Sequence, residues 1–301
     1  MKTVLLVNPV SGKGYTKKIL PEIENKLSAL GINHSVVFSE KPKHFFHEFP
    51  KLDLAETDFI TVVGGDGFMN EIVNGFSERA KIPFLLIPAG SGNDIGRSLD
   101  ISVRKFLEIS DFKIFRKPFD ILELTYNSFP DGSLIKRKFL SSCGAGFDAE
   151  VSKLSSENKV LRGLILYLYS TLKALLKLKQ YRGKVLYGEG EITGDFTLIT
   201  TGNTSTAGGG FKLTPHAVID DGLADVMIAG KCSRAKLLQI LPLAIIGKHI
   251  HRPEVTYIRT QFLKLSTENN VPLHSDGEFL SPSANNIEIH LFPEKITFIV
   301  Y

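Results

Sequence analysis

Through the first third of the chain, short continuous apolar runs alternate with stretches in which apolar positions recur every three or four residues. Residues 4–8, 35–38, 59–63 and 83–87 read as strands, and residues 16–30, 43–55 and 68–76 as the helices between them. Strands that are apolar throughout, separated by helices, predict parallel βαβ units, because such strands are covered on both faces. After about residue 120 the pattern changes. Runs at 119–125 and 134–141 flank the turn Pro130-Asp131-Gly132, and others fall at 184–187, 196–201, 224–228, 255–258, 262–266, 287–291 and 296–300. Many short strands with frequent turns predict an antiparallel sandwich-like domain or barrel. Two helical segments, 160–181 and 233–249, interrupt it. The expected fold is an α/β domain with a parallel sheet over residues 1–122, a mainly antiparallel β domain over 123–301, and a cleft between them.

Parallel sheets bind ligands at the carboxyl ends of their strands, in the loops that lead into helices. Three glycine-rich loops occupy that position: Ser11-Gly12-Lys13-Gly14, Gly64-Gly65-Asp66-Gly67 and Ala89-Gly90-Ser91-Gly92. Glycine lets backbone N–H groups turn toward an anion, and a helix N-terminus adds favourable partial charge. An acid inside such a loop repels phosphate unless a cation lies between them, so Asp66 suggests Mg²⁺. The plainer alternative is a turn with Asp66 as a cap, and a cap at Asn93 or Asp94 in the next loop. Two such loops at one sheet edge favour the phosphate reading.

Composition narrows the partners. Lys and Arg number 36 against 32 Asp and Glu, an excess of 4, too small for the dense basic stripe of a nucleic-acid binder. The 2 cysteines, Cys143 and Cys232, lie far apart without metal-ligand spacing, so a reducing cytoplasm is expected. The apolar run at 4–7 is too short for a signal peptide. Residues 161–178 are interrupted by Arg162, Lys173 and Lys177, so no spanning helix of roughly 20 apolar residues is expected. Leu161, Leu164, Ile165, Leu168, Leu172 and Leu175 share one side of that helix, which either packs on the second domain or faces an anionic bilayer.

Other motifs fail on spacing. The loop at 8–14 lacks the Gly-x-x-x-x-Gly-Lys-[Ser/Thr] of a P-loop, and Lys13 reads equally as a solvated lysine or a phosphate ligand. His44 with His47, and His249 with His251, have no third ligand nearby in sequence.

Asn8-Pro9 with Ser11-Gly12, Gly64-Gly65-Asp66-Gly67 with Asn70-Glu71, and Gly90-Ser91-Gly92-Asn93-Asp94 resemble the diacylglycerol kinase catalytic family, which includes sphingosine kinases and bacterial lipid kinases. The likeness continues through Gly144-Ala145-Gly146-Phe147-Asp148, Asn203, Gly208-Gly209-Gly210, Asp220-Asp221-Gly222-Leu223 and His274-Ser275-Asp276-Gly277-Glu278. It implies an ATP-dependent lipid kinase, diacylglycerol being the first choice of acceptor. ATP would meet Asn8, Gly12, Gly64, Gly65, Gly67, Asn70, Gly90, Ser91, Gly92 and Asn93. A magnesium-linked acidic network would fall on Asp66, Asp94 and Asp120, and a second, structural Mg²⁺ on Asp220 and Asp221. Asp276 and Glu278 would stand near the transferred phosphate, with Asp276 rather than Asp66 as general base; a plain Asp276-Gly277 turn is the alternative. Ser91 stands where many relatives carry Thr. The resemblance further implies a cytoplasmic protein peripheral at the inner membrane face, with a homodimer left open. The rivals are an NAD-kinase-like phosphotransferase and a non-catalytic lipid or nucleotide sensor.

Overall fold

The computed structural model describes every residue except 76–81, 129, 159, 162 and 189. The predicted helix end at Phe76 and the interrupting Arg162 therefore lie outside the described residues. The chain divides into two units, Met1–Phe119 with Glu294–Tyr301, and Asp120–Pro293.

In the first unit the elements follow in the order β1 (Lys2–Val7), α1 (Ser11–Ala29), β2 (Asn33–Phe38), α2 (His44–Glu48), β3 (Phe59–Gly64), α3 (Asp66–Gly75), β4 (Phe84–Pro88), α4 (Asp94–Ser98) and α5 (Val103–Glu108). The strands pair in parallel in the order β2-β1-β3-β4. All six residues of β3 are buried, as its unbroken apolar run requires. Ile19, Ile23 and Leu27, spaced four apart on α1, bury one stripe against Leu5, Val7, Val63 and Leu85. Each such side chain contributes about 1.5–3 kcal/mol by leaving water. The helix predicted over 43–55 stops early. Pro50 has no backbone N–H and clashes with a continuing helix, so α2 gives way to one 3₁₀ turn, Phe49–Lys51.

A fifth parallel strand comes from the far end of the chain, with Phe298 opposite Phe84 and Ile299 opposite Leu85. The sequence pattern assigned residues 296–300 to the second domain; they belong to the first. Phe298 and Ile299 are fully buried there, Phe298 against Phe84 and Phe119. Tyr301 Oη donates toward the carbonyls of Leu86 and Ser102. Hydropathy marks such a segment as a buried strand but does not say beside which partner.

The second unit holds most of β5 (Phe115–Ser128), then β6 (Leu134–Phe139), β7 (Ser142–Gly146), α6 (Phe147–Glu157), α7 (Gly163–Leu175), β8 (Tyr181–Tyr187), β9 (Gly190–Gly202), β10 (Ala224–Gly230), α8 (Arg234–Ile246), β11 (Val255–Thr260), β12 (Phe262–Thr267), β13 (Val271–Ser275) and β14 (Glu278–Val300), which ends in the first unit's last strand. Its ladders are antiparallel. Two long strands each change neighbour along one edge. β9 pairs with β8 over its first half and with β7 over its second, while β14 pairs first with β13 and then with β12. Since β7 also pairs with β13 and β8 with β12, these six strands close into a circuit, from which β10 with β11 and β5 with β6 branch. Leu122, Leu124, Phe139, Val226, Leu265, Leu273 and Ile287 fill its core.

Three elements here escaped the pattern: β7, α6 and β13. β7 is Ser-Cys-Gly-Ala-Gly, too small and polar to look like a buried strand, and α6 follows it directly. The single helix expected over 160–181 is shorter, and it turns differently. Leu166, Ser170, Thr171, Ala174 and Leu175 face inward, whereas Ile165, Tyr169, Leu172 and Leu176 are exposed at 67%, 46%, 46% and 70%.

Candidate active site

The three glycine loops of the first unit pack on one another through bare backbone. A Cβ on Gly12 would lie 2.4 Å from the carbonyl oxygen of Ala89, and one on Gly65 would lie 2.7 Å from Cα of Gly90. Gly12, Lys13 and Gly14 all adopt positive φ, so the regular helix of α1 starts after them. Gly67 differs from its neighbours: a Cβ there would meet nothing within 4 Å. It stands in the first turn of α3, a helix of 10 residues whose leading N–H groups attract anions.

Asp66 fastens two of these loops. Its Oδ2 accepts the N–H of Asp94 at 3.0 Å and its Oδ1 that of Ile95 at 3.1 Å. The start of α4 is thus capped from another loop, not from its own preceding residue. Asn93, at φ +57°, turns back instead: its Oδ1 accepts the N–H of Gly90 at 2.8 Å and its amide donates to the Gly90 carbonyl at 3.1 Å. Asp94 pairs with Arg97 Nη1 at 2.9 Å, and Arg97 also donates to the carbonyl of Gly92. Arg97, a cation beside these glycine loops, was not singled out by the sequence pattern. Asn8 accepts the N–H of Val10 through Oδ1, and Asn70 is buried, receiving the Asn74 amide on its carbonyl and its Oδ1. Glu71 accepts the N–H groups of Lys43 and Phe45. Ser91 is exposed and Gly92 half-buried, at the open side of their loop.

In the second unit Asp276 and Gly277, at φ +44° and +78°, form the two-residue connection between β13 and β14. Positive φ at both central positions suits the right-handed twist of a hairpin. The expected alternative, a turn, is therefore present, and the acid is also anchored within it. Its carboxylate accepts the N–H of Leu140 at 3.0 Å, Ser141 at 2.7 Å and Ser142 at 3.0 Å, and its own N–H donates to the Ser142 carbonyl. Asp276 is buried. Glu278, two residues on, lies 3.4 Å from Arg137 Nη2 and is partly exposed.

The acids expected to hold metal fall into two groups. Asp66 and Asp94 are neighbours in the first unit. Asp120, in the second, joins the turn that carries Asp220 and Asp221: its Oδ2 accepts the N–H of Gly222 at 2.8 Å and its N–H donates to the carbonyl of Ile219. Asn203 ties the same residue to the segment between β6 and β7, donating to the carbonyls of Asp120 and Leu140. Arg259 pairs with both Asp221 and Asp225. No three His, Cys, Asp or Glu side chains converge on a metal position among the described residues. Burial pushes both cysteine thiols up, which suits packed side chains rather than ligands.

Residues 2–118 match the Diacylglycerol kinase catalytic domain, and residues 141–300 match the YegS C-terminal NAD kinase beta sandwich-like domain. The diacylglycerol kinase of Staphylococcus carnosus is 30% identical over 279 residues, 91% of this chain and 88% of that protein. The chain belongs to the diacylglycerol kinase catalytic family. It is a lipid kinase, transferring phosphate to an alcohol. A solved structure of a putative diacylglycerol kinase from Bacillus anthracis shares the fold of this kinase at a TM-score of 0.78 and 24% identity, covering 100% of this chain and 97% of that one. Yeast NADH kinase complexed with NADH shares it at 0.53 and 11% identity, covering 100% of this chain and 84% of that one.

Proposed function

We propose that this kinase moves the γ-phosphate of ATP onto the hydroxyl of a membrane lipid, with diacylglycerol as acceptor and phosphatidic acid as product. The observation that carries the nucleotide side is the backbone-to-backbone packing of Gly12 on Ala89 and Gly65 on Gly90, beside the open position at Gly67 and the N-terminus of α3. That edge offers N–H groups and positive helix-end charge to phosphate oxygens without a side chain in the way.

Asp66 and Asp94 offer the hard oxygen donors that Mg²⁺ takes, with water and phosphate oxygens completing its shell. When bound, the cation neutralises charge on the phosphates. Asp66 would hold it and fasten α4 together. Asp276 would accept the proton of the lipid hydroxyl as that oxygen bonds to the γ-phosphorus and the bond to the bridging oxygen breaks, releasing ADP. Of the two acids, Asp276 is the better base, because a carboxylate beside a divalent cation is a poor proton acceptor.

Contact with the bilayer is assigned to α7. Ile165, Tyr169, Leu172 and Leu176 recur at helical spacing on its exposed face, with the exposed Lys173 and Lys177 beside them. An apolar stripe flanked by lysines suits an anionic lipid surface. Among the described residues no helix is long and apolar enough to cross a membrane.

The test is incubation with γ-labelled ATP and a total lipid extract, then separation of organic and aqueous products. Label in phosphatidic acid is expected; label in another lipid would change the acceptor, and label only on soluble NAD would favour the NAD-kinase-like reading.

A further inference from the structure

Helix α6 grips the Asp276 turn at two points. Asp148, in its first turn, places Oδ2 3.0 Å from Nε2 of His274, and Ser152, one turn on, donates its hydroxyl to the carbonyl of Gly277 at 2.8 Å. The two contacts bracket Ser275 and Asp276. Both ends of the first are enclosed, His274 at 5% side-chain exposure and Asp148 at 16%. Thr200 of β9 donates to the same Asp148 oxygen at 2.7 Å. The pair fills the space over β7, where a Cβ on Gly144 would lie 2.2 Å from Asp148 Oδ2 and 2.4 Å from His274 Nε2. Gly144 is directly opposite His274 in the ladder, so only a glycine leaves room for the contact.

The electrostatics agree with an ionised acid. Burial alone would raise the Asp148 carboxyl, but the charge of His274 and the Thr200 hydroxyl outweigh it and hold the group below its ordinary value. A carboxylate fixed by β9 and by its own helix is a rigid point from which to hold β13. It adds to the hold that the Asp276 hydrogen bonds, the Ser152 hydroxyl and the β13–β14 ladder already give the turn.

We propose that Asp148 and Ser152 are positioning residues for phosphoryl transfer, which hold the Ser275–Asp276–Gly277 turn through His274 and Gly277 and so aim the Asp276 carboxylate. The inference deepens the reading above and rests on Asp276 being the base. A displacement of about 1 Å in a catalytic group costs on the order of a hundredfold in rate, which is the scale at stake.

The test measures kcat and both KM values for Asp148→Ala, Ser152→Ala, His274→Ala and His274→Gln, and repeats Asp148→Ala in an Asp276→Asn background. Asp148→Ala is expected to lower kcat by roughly tenfold to a hundredfold with KM for ATP and lipid within about twofold, and Ser152→Ala to lower it less. His274→Gln, which keeps a donor near Asp148, recovers most of the loss seen in His274→Ala. In the Asp276→Asn background the Asp148 change adds nothing, because the group it aims is already gone. Unchanged kcat in Asp148→Ala, or an equal loss in both backgrounds, overturns the proposal. If Asp148→Ala folds poorly, Ser152→Ala carries the same comparison. Amide exchange at Leu140, Ser141 and Ser142 separates this idea from the base assignment. Should Asp276→Asn keep full turnover, the base reading fails, yet faster exchange of those amides in Ser152→Ala and Asp148→Ala still supports the brace. Unchanged exchange then overturns it.

Discussion

Asp66 and Asp276 are each held by backbone N–H groups, but over different reaches. Asp66 receives 2 of them, one per oxygen, from residues 28 and 29 positions away in the same unit. Asp276 receives 3, from 134 to 136 positions away. Asp66 is half-buried, whereas Asp276 is 7% exposed. The first therefore joins two loops whose strands already bring them together. The second ties a turn to the residues that lead into β7, which β13 pairs with across a much longer stretch of sequence. In both units an acid expected for chemistry is also a fastener, so replacing either one tests two properties at once. At Asp66, Asp66→Ala would also strip the N–H groups of Asp94 and Ile95 of their acceptor, so it is not a clean test of metal binding.

The largest effect is expected at Asp276. Asp276→Asn should lower turnover by about 10²–10⁴-fold, the usual worth of a general base. It is not silent for folding, because an amide cannot accept at both ends, and one of the three N–H groups will face an NH₂. Asp276→Ala orphans all three, at roughly 1–3 kcal/mol for each buried donor left without a partner. Turnover and denaturant midpoint, measured together, check both statements. Loss of ATP affinity with little change in turnover would move Asp276 into the metal network.

Asp66→Asn comes next. We expect turnover to fall by about 10²–10³-fold, the scale of losing one preorganised electrostatic group, with a smaller loss of stability than at Asp276. A titration of Mg²⁺ dependence should show a weaker requirement site; full activity at ordinary Mg²⁺ would remove Asp66 from the phosphate edge.

Two glycines of the same loop sharpen the contrast further. Gly65→Ala pushes a methyl into the Gly90 backbone and should destabilise by about 1–3 kcal/mol. Gly67→Ala meets no neighbour within 4 Å and should fold as well as wild type, but raise KM for ATP about tenfold by filling the approach to the phosphates. Thermal unfolding and nucleotide titration separate the two, and an unaltered KM in Gly67→Ala would place the phosphates elsewhere.

The smallest effect is at the surface. Removing Lys173 and Lys177 should leave turnover on short-chain lipid unchanged, while binding to anionic vesicles weakens and loses its salt sensitivity, since screened attraction acts over about 8 Å. Replacing Leu172 and Leu176 with serine should weaken binding at every salt concentration without lowering the melting temperature. Equal loss on soluble and vesicle substrates would put these residues in the catalytic unit instead.

Much of the first unit was legible because its information is local. Apolar runs of strand length, amphipathic stretches between them and glycines at the strand ends are read within a few residues of one another. Even there, the cap on α4 was misplaced: Asn93 looked like a cap by type and position, while the donors are satisfied by Asp66 from another loop. In the second unit most strands were readable, but β7 and β13 were not; in β7, Gly144 is bare where Asp148 and His274 meet, while Cys143 and Ala145 join the core. The inward face of α7 was also misjudged. Leucine marks a helix face as apolar, but the packed side holds Ser170, Thr171 and Ala174 beside Leu166 and Leu175, while Ile165 and Leu172 face outward.

By itself the sequence determined the α/β-then-β order of the chain, the three glycine-rich loops and their family, all through spacing along the backbone. Tertiary structure alone decided where the last eight residues go, which N–H groups hold Asp66 and Asp276, and that Asp148 meets His274. The reason is physical. A parallel strand at a sheet edge, a carboxylate's donors and a buried Asp–His contact are set by partners up to 215 positions away, and hydropathy carries no record of which distant partner closes the contact.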